Sequence, residues 1–519
     1  MGLFSRKKDE APKPRRKQKK FARRSYAASI IDRLSGDFRG SNKSAASELV
    51  GSLYTMRARS RQLCMDNDYA KKFLAMVAAN VVGNKGISLQ ARARRDDGSL
   101  DTLDNSTIEA AWAEWGNIEH CTVTGRQSWV DVQKLVIKSI ARDGECLVVM
   151  VRGFDNEFGF ALQVLESDHL DENYNTVLSN GNRIVMGVEL NRWGAPVAYH
   201  LNTSHPGDDT QMFQGKNYRR IPAADVLHLY IDDRAGQVRG VPWMHTAINR
   251  LNQVGAYEEA ELIAARIASS KMGFYTSPDG DQYVGDEDDD GNLLMDMEPG
   301  VLEQLPAGVD FTAFDPQHPT SAYQAFIKTA LRGAASGLNV AYNTLANDLE
   351  GVNFSSIRSG VLEEREQWRA IQSWLSQQLC RRVYRAWLVQ ALTTQALALP
   401  QRKFDKFTSV EWQPRGWAWV DPLKDQQANA LAVELGVMSR SEIAATQGRD
   451  FEDVLRQLER ENELLKQYGL TVEQEAQIYK YHIDSGVVTK NEVRDDLGLD
   501  PISGGDAPMP VNQSASGGE

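Results

Sequence analysis

The chain reads as an α+β protein on three observations. Apolar residues recur every three or four positions between residues 63 and 142, the period falls to two between Glu145 and Tyr230, and helical spacing returns from Val241 onward. Helices therefore flank an antiparallel sheet, and two of the later helices are unusually long.

Residues 25–82 are expected to be helical, because Leu63, Tyr69, Phe73, Met76, Val77 and Val81 fall on one face. Gly83 and Gly86 stop that run, and Ile87-Ser-Leu-Gln opens a short strand. A helix over 105–118 carries Ile108, Trp112 and Trp115. A second, over 128–142, carries Trp129, Val132, Leu135, Val136 and Ile140 and ends at the turn Asp143-Gly144. The alternating runs beginning at Cys146, Phe160, Arg183 and Val197 read as strands of one antiparallel sheet, with turns at Asn180-Gly181 and Trp193-Gly194.

Val241-Pro242-Trp243 is expected to open a helix running to about Lys271, roughly 45 Å long. Residues 273–318 are turn-rich, strand-prone and acidic; a helix over 320–336 follows. From Ser355 to Gln395 comes a helix of roughly 60 Å with the apolar face Ile357, Val361, Trp368, Ile371, Leu375, Leu379, Val383 and Trp387. Its acids Glu363, Glu364 and Glu366 lie N-terminal to Arg381, Arg382 and Arg385, which suits the helix dipole. Such length suggests packing against neighbouring subunits or several domains. Residues 410–498 hold shorter helices, with capped starts at Met438-Ser-Arg-Ser-Glu, Leu470-Thr-Val-Glu and Val488-Thr-Lys-Asn-Glu. Residues 1–24 and the Gly/Ser/Pro-rich end from Ser503 are expected to be disordered.

Between the helix over 320–336 and the long helix lies a polar loop carrying Asn339, Asn343, Asn347 and Asn353 and no Lys or Arg. A polar, cation-poor loop between two strong helices is suited to touching something repeatedly without gripping it. The alternative for each of these residues is a turn former or packing group.

At 519 residues the chain has room for about three to four domains. Its net charge of −11 is uneven: residues 1–24 hold eleven Lys/Arg and two acids, leaving −20 on the rest. An acidic body argues against static duplex binding, which needs many phosphate-neutralising cations. The basic tail is either a solvated arm or a transient contact for nucleic acid or an assembly partner. No apolar run reaches the ~18 residues of a membrane span, no secretory signal is expected, and Arg6 spoils a myristoylation start.

The chemistry of common enzymes is missing. Gly215-Lys216 is followed by Asn217, so no phosphate-binding loop is present, and neither GxGxxG after a strand, GxSxG nor HExxH occurs. Cys64, Cys121, Cys146 and Cys380 are widely spaced and read as reduced, mostly buried thiols. Asp286, Asp288, Asp290 and Gly291 match half a calcium loop, but position twelve is Met297, so an exposed acidic loop is the reading and no metal is assigned.

Several strings in order carry a resemblance. They include Arg59-Ser-Arg-Gln-Leu-Cys-Met-Asp-Asn-Asp-Tyr-Ala, Asn80-Val-Val-Gly-Asn-Lys-Gly-Ile and Leu162-Gln-Val-Leu-Glu-Ser-Asp-His-Leu. The others are Pro222-Ala-Ala-Asp-Val-Leu-His-Leu-Tyr, Asp233-Arg-Ala-Gly-Gln-Val-Arg-Gly-Val-Pro-Trp and Leu349-Glu-Gly-Val-Asn-Phe-Ser-Ser-Ile-Arg-Ser-Gly. Over roughly residues 45–480 the chain resembles the lambda-type portal proteins of tailed bacteriophages and prophages.

The resemblance implies a portal fold in a ring of about twelve subunits at one capsid vertex, through which double-stranded DNA is packaged and ejected without sequence readout. It implies an antiparallel-sheet wing (25–240), a first stem helix (241–272), a clip (273–319) and a second stem helix (320–337). A tunnel loop (338–354), a long wing helix (355–395) and a mostly helical crown (396–500) follow. On that frame Asn339, Tyr342, Asn343 and Asn347 face DNA at the constriction. Lys328 and Arg332 either contact phosphates or form intersubunit salt bridges, and Asp286, Glu287, Asp288, Asp289 and Asp290 form the clip docking surface. Expected partners are the terminase large subunit, the major capsid protein and a head–tail connector, in a virion assembled in the host cytoplasm, with no catalysis, cofactor or membrane. The rival readings are a packaging nuclease or ATPase, and a head–tail adaptor or scaffold without a channel.

Overall fold

The computed structural model describes residues 40, 42–208, 217–269, 273–276, 286–287, 293–294, 310–313, 322–350, 354–417, 422–446, 449–467, 489–491 and 494. The expected tails, the helix starts at Leu470 and Val488 and most of the expected clip lie outside these residues.

The expected N-terminal helix is three helices, α1 (Ala45–Leu49), α2 (Leu53–Asp66) and α3 (Asp68–Val81). Asn67 makes the last break: its backbone is extended, and its side chain accepts from the Ala70 amide to cap α3. After β1 (Ser88–Ala91) come α4 (Thr102–Trp115), α5 (Ile118–Cys121) and α6 (Trp129–Asp143). A reciprocal Ser128–Asp131 capping box opens α6, and Gly144 closes it with φ 91°.

Where one sheet was expected there are two, both antiparallel. β2 (Glu145–Arg152) lies between β3 (Phe160–Leu165) and β9 (Val226–Tyr230). The other sheet is a meander of β4 (Thr176–Val177), β5 (Arg183–Val185), β6 (Val188–Leu190), β7 (Pro196–Asn202) and β8 (Tyr218–Pro222). The single strand expected over 183–190 is split at Met186-Gly187, both at positive φ, which turns β5 back onto β6. Leu147 and Val149 of the first sheet pack with Leu170, Val188, Tyr199 and Leu201, closing a small second core.

Pro242 does not open a helix. Residues 243–247 form turns, and α7 runs from Ile248 to Ser269. The backbone here is committed elsewhere: a Cβ on Gly240 would overlap the Gly144 carbonyl, and one on Gly144 would overlap Val241. This close approach pins the α7 approach to the end of α6 and delays the helix. In the acidic segment, β10 (Gly273–Thr276) pairs with β13 (Asp310–Ala313), and β11 (Asp286–Glu287) with β12 (Leu293–Leu294). Asp286 and Glu287 therefore stand in a short ribbon, while Asp288, Asp289 and Asp290 lie outside the described residues.

α8 (Ala322–Leu338) and the one-turn α9 (Tyr342–Ala346) precede α10 (Phe354–Leu375). A π turn over Ser376–Cys380 joins α10 to α11 (Arg381–Thr393), so the expected long helix is continuous. Its apolar positions advance by four at 371, 375, 379, 383 and 387, a spacing that drifts around an α-helix; the wider π turn absorbs the drift. Much of the helix's apolar face finds its cover within the chain. Trp368, Leu375, Leu379, Val383 and Trp387 are buried within the chain. Trp387 and Tyr384 meet Trp112 at ring distances of 5.1 and 5.5 Å, and Trp112 also meets Trp115 and Trp129.

α12 (Phe404–Phe407) leads into β14 (Val410–Gln413), which pairs with β1. A strand pair thus links residues 410–413, within the segment expected to form the crown, to β1. α13 (Pro422–Glu434), α14 (Arg440–Thr446) and α15 (Phe451–Gln467) follow, and Ser439 caps α14 reciprocally with Glu442 as expected.

A buried ion cluster ties α2, both sheets and the approach to α7 together. Glu145, fully buried, accepts from Arg57 Nη2 at 2.9 Å, Arg239 Nη2 at 2.6 Å and the Gly240 amide at 2.9 Å, and lies 2.8 Å from His228 Nε2. Arg239 spends its other donors on the carbonyls of Ser167, Leu170 and Met186, so all five of its N–H groups are matched. Burial alone would raise the Glu145 pKa; Arg239, His228 and Arg57 outweigh it and hold the carboxyl well below its usual range.

Candidate functional site

Of the expected loop over 338–354, residues 338–350 are described and fold against the body, while Asn353 lies outside the described residues. α8 ends at Leu338, where Asn339 takes φ 55° and Val340 N reaches back to the Ala335 carbonyl at 3.1 Å. Asn347 closes α9 in the same left-handed conformation, φ 54°. Asparagine tolerates this region better than other side chains except glycine, which gives two of the four asparagines a local backbone job. Leu345, 1% exposed, and Val340 anchor the segment in the main core.

Glu364 on α10 is its hub. The carboxylate is buried and accepts from the Ala341 amide at 3.2 Å, the Thr344 hydroxyl at 3.2 Å and Trp368 Nε1 at 3.0 Å. Asn339 donates to Gln367, and Asn347 accepts from Lys72 of α3. A cleft of about 360 Å³ opens beside Lys72, Asn343, Asn347 and Val361.

The two cations expected to face phosphates are both engaged by the loop. Lys328 Nζ lies 2.8 Å from Glu350 and 3.4 Å from Asp348. The Arg332 guanidinium sits 5.4 Å from the Tyr342 ring centre, and Tyr342 donates to Asp348 at 2.7 Å. Asn339, Tyr342, Asn343 and Asn347 therefore fall in one short segment with Lys328 and Arg332 behind it. Sequence reading missed Glu364, Lys72 and Asp348. Glu364–Trp368 at helical spacing was a weak signal for the first; nothing local marks Lys72, 275 residues from its partner.

Other chemistry is sparse. Cys121, Cys146 and Cys380 are buried, Cys64 is half-buried, and all are free thiols; burial pushes Cys64 and Cys146 up to about 12. Glu166, Asp168 and His205 approach one another, but Arg61 and Arg142 already pair with the acids. Among the described residues no helix is long and apolar enough to cross a membrane.

The family model described as "Phage portal protein, lambda family" matches residues 32–372. The chain belongs to the lambda family of phage portal proteins. It is 40% identical over 423 residues to the probable portal protein of Halomonas phage phiHAP-1, covering 80% of this chain and 81% of that one. It is 21% identical to the portal protein of Escherichia phage N15 (84% and 89% covered) and 20% identical to portal protein B of Escherichia phage lambda (70% and 74%). Among solved structures it is similar to a chain from the neck of an empty GTA particle computed with C6 symmetry, with TM-score 0.41, 15% identity, and 81% and 99% covered. The portal family is structural rather than catalytic.

Proposed function

We propose that about twelve copies of this chain close a ring at one capsid vertex and conduct double-stranded DNA inward during packaging and outward during ejection. Residues 25–240 form the wing, which meets the major capsid protein, and the helices over 241–272 and 320–337 form the stem. Residues 273–319 form the clip, where Asp286 to Asp290 give an acidic docking surface for the terminase large subunit and then the head–tail connector. The long helix over 355–395 braces the wing, and residues 396–500 form the crown. The chain itself performs no catalysis; nucleotide hydrolysis belongs to the motor. It acts in the virion after assembly in the host cytoplasm.

The loop over 338–354 lines the constriction, with Asn339, Tyr342, Asn343 and Asn347 toward the DNA. One observation supports this reading: a segment without Lys or Arg, on an acidic chain, places the amides of Asn339 and Asn347 at its surface, pairs Lys328 with its own Glu350 and Asp348, and sets Tyr342 against the exposed Arg332. Fixed, exposed cations would each add an electrostatic well along a moving polyanion. Neutral amides allow hydrogen bonds without sequence readout. Replacing Asn343 and Asn347 by Lys is expected to leave rings intact and slow packaging or ejection; Asn343→Lys alone avoids any strain at the left-handed position 347. Unchanged DNA transport would remove these residues from the constriction.

A further inference from the structure

Lys328 is the cation nearest the loop's acids, and those acids are held in place independently of it. Asp348 accepts from the Tyr342 hydroxyl at 2.7 Å, and its other oxygen accepts from the Glu350 amide at 3.0 Å. Glu350 also accepts from Gln324 Nε2 at 3.1 Å. The two carboxylates, two residues apart, bracket Lys328 Nζ from positions fixed by the loop and by the preceding turn of α8. They are the only acids between residues 338 and 354.

We propose that Asp348 and Glu350 are the residues that set the low grip of this loop: they screen Lys328 from DNA phosphates whenever the loop is seated. The inference rests on the reading of the loop as the channel constriction. An unscreened lysine at this position would repeat in every copy, giving a girdle of about twelve cations around the duplex. With the screen in place, each copy presents amides, a tyrosine and an ion cluster in which two carboxylates outweigh the one Lys328 charge. Lys328 then serves the loop's own position and not the passing phosphate.

The test uses purified rings of the full chain, checked by electron microscopy, and a short duplex DNA as probe. Asp348→Asn with Glu350→Gln is expected to raise duplex affinity about tenfold or more at about 50 mM salt and to steepen its fall with added salt. Lys328→Gln in that background should return the salt slope to the parent's and remove most of the gain in affinity. Should the double variant not form rings, Glu350→Gln alone, at the more exposed acid, should raise affinity about threefold by the same counterion logic. Unchanged affinity, or a gain that survives Lys328→Gln largely intact, overturns the proposal. Rings that bind DNA more tightly through Lys328 yet package at the parent rate would uphold the screen and sink the channel reading instead.

Discussion

Replacing Arg239 by Met removes the centre of the buried cluster while keeping most of the side-chain volume. Glu145 keeps Arg57, His228 and the Gly240 amide but loses its closest cation, at 2.6 Å, in a site with no exposure of either residue. Breaking one member out of a buried ion pair costs about 3–5 kcal/mol, because the remaining charge stays desolvated. The carbonyls of Ser167, Leu170 and Met186 lose their Arg239 donors at the same time, which places the loss toward the upper end of that range. Stability of that order is a large share of what a domain has. Urea unfolding followed by fluorescence reads it directly, since Trp112, Trp115, Trp129 and Trp387 sit in the adjoining core. Arg239→Lys retains the charge but has three donors instead of five, so it should fall between parent and Arg239→Met. A loss below about 1 kcal/mol for Arg239→Met would refute the assignment of this cluster as the tie between sheets and α7.

Acid should weaken the same cluster. Burial lowers the His228 pKa below its ordinary value of about 6.5, more than Glu145 raises it, so unfolding takes up protons and stability falls as pH drops below about 6.5. The depressed Glu145 carboxyl adds stability that is present above its ordinary range and lost as pH falls through its folded value. His228→Gln should therefore flatten the decline between about pH 6.5 and 5, and identical pH profiles would contradict this. Glu364→Gln should loosen the 338–354 segment by about 1–2 kcal/mol, seen as faster proteolysis there with the core melt little changed. Asn347→Ala should destabilise by about 1–2 kcal/mol and Asn347→Gly by far less, because the left-handed backbone outweighs the one exposed side-chain contact with Lys72; equal losses would make that contact the dominant role of Asn347.

How far the fold could be read from sequence depends on how local its causes are. α6 was legible from its apolar spacing, its Ser128–Asp131 start and its Asp143-Gly144 end, all within the segment. The strand over 183–190 was not, since its period continues through Met186-Gly187 while the backbone reverses there. Pro242 is a good helix opener by local rules, but Gly144 and Gly240 pack backbone on backbone and hold residues 240–242 in another path. The loop's cation deficit was plain in the sequence. What neutralises the cations around it was not, because Lys328 meets Asp348 and Glu350 across a helix end and Lys72 reaches Asn347 from α3. The buried cluster brings residues 57, 145, 228 and 239 together, a spread that no motif encodes.

The central claim is that this chain closes into a conduit. Electron microscopy of the purified protein tests it most directly: the account predicts closed rings of about twelve subunits with an open axial hole. Monomers, open filaments or closed assemblies without a central channel would contradict it.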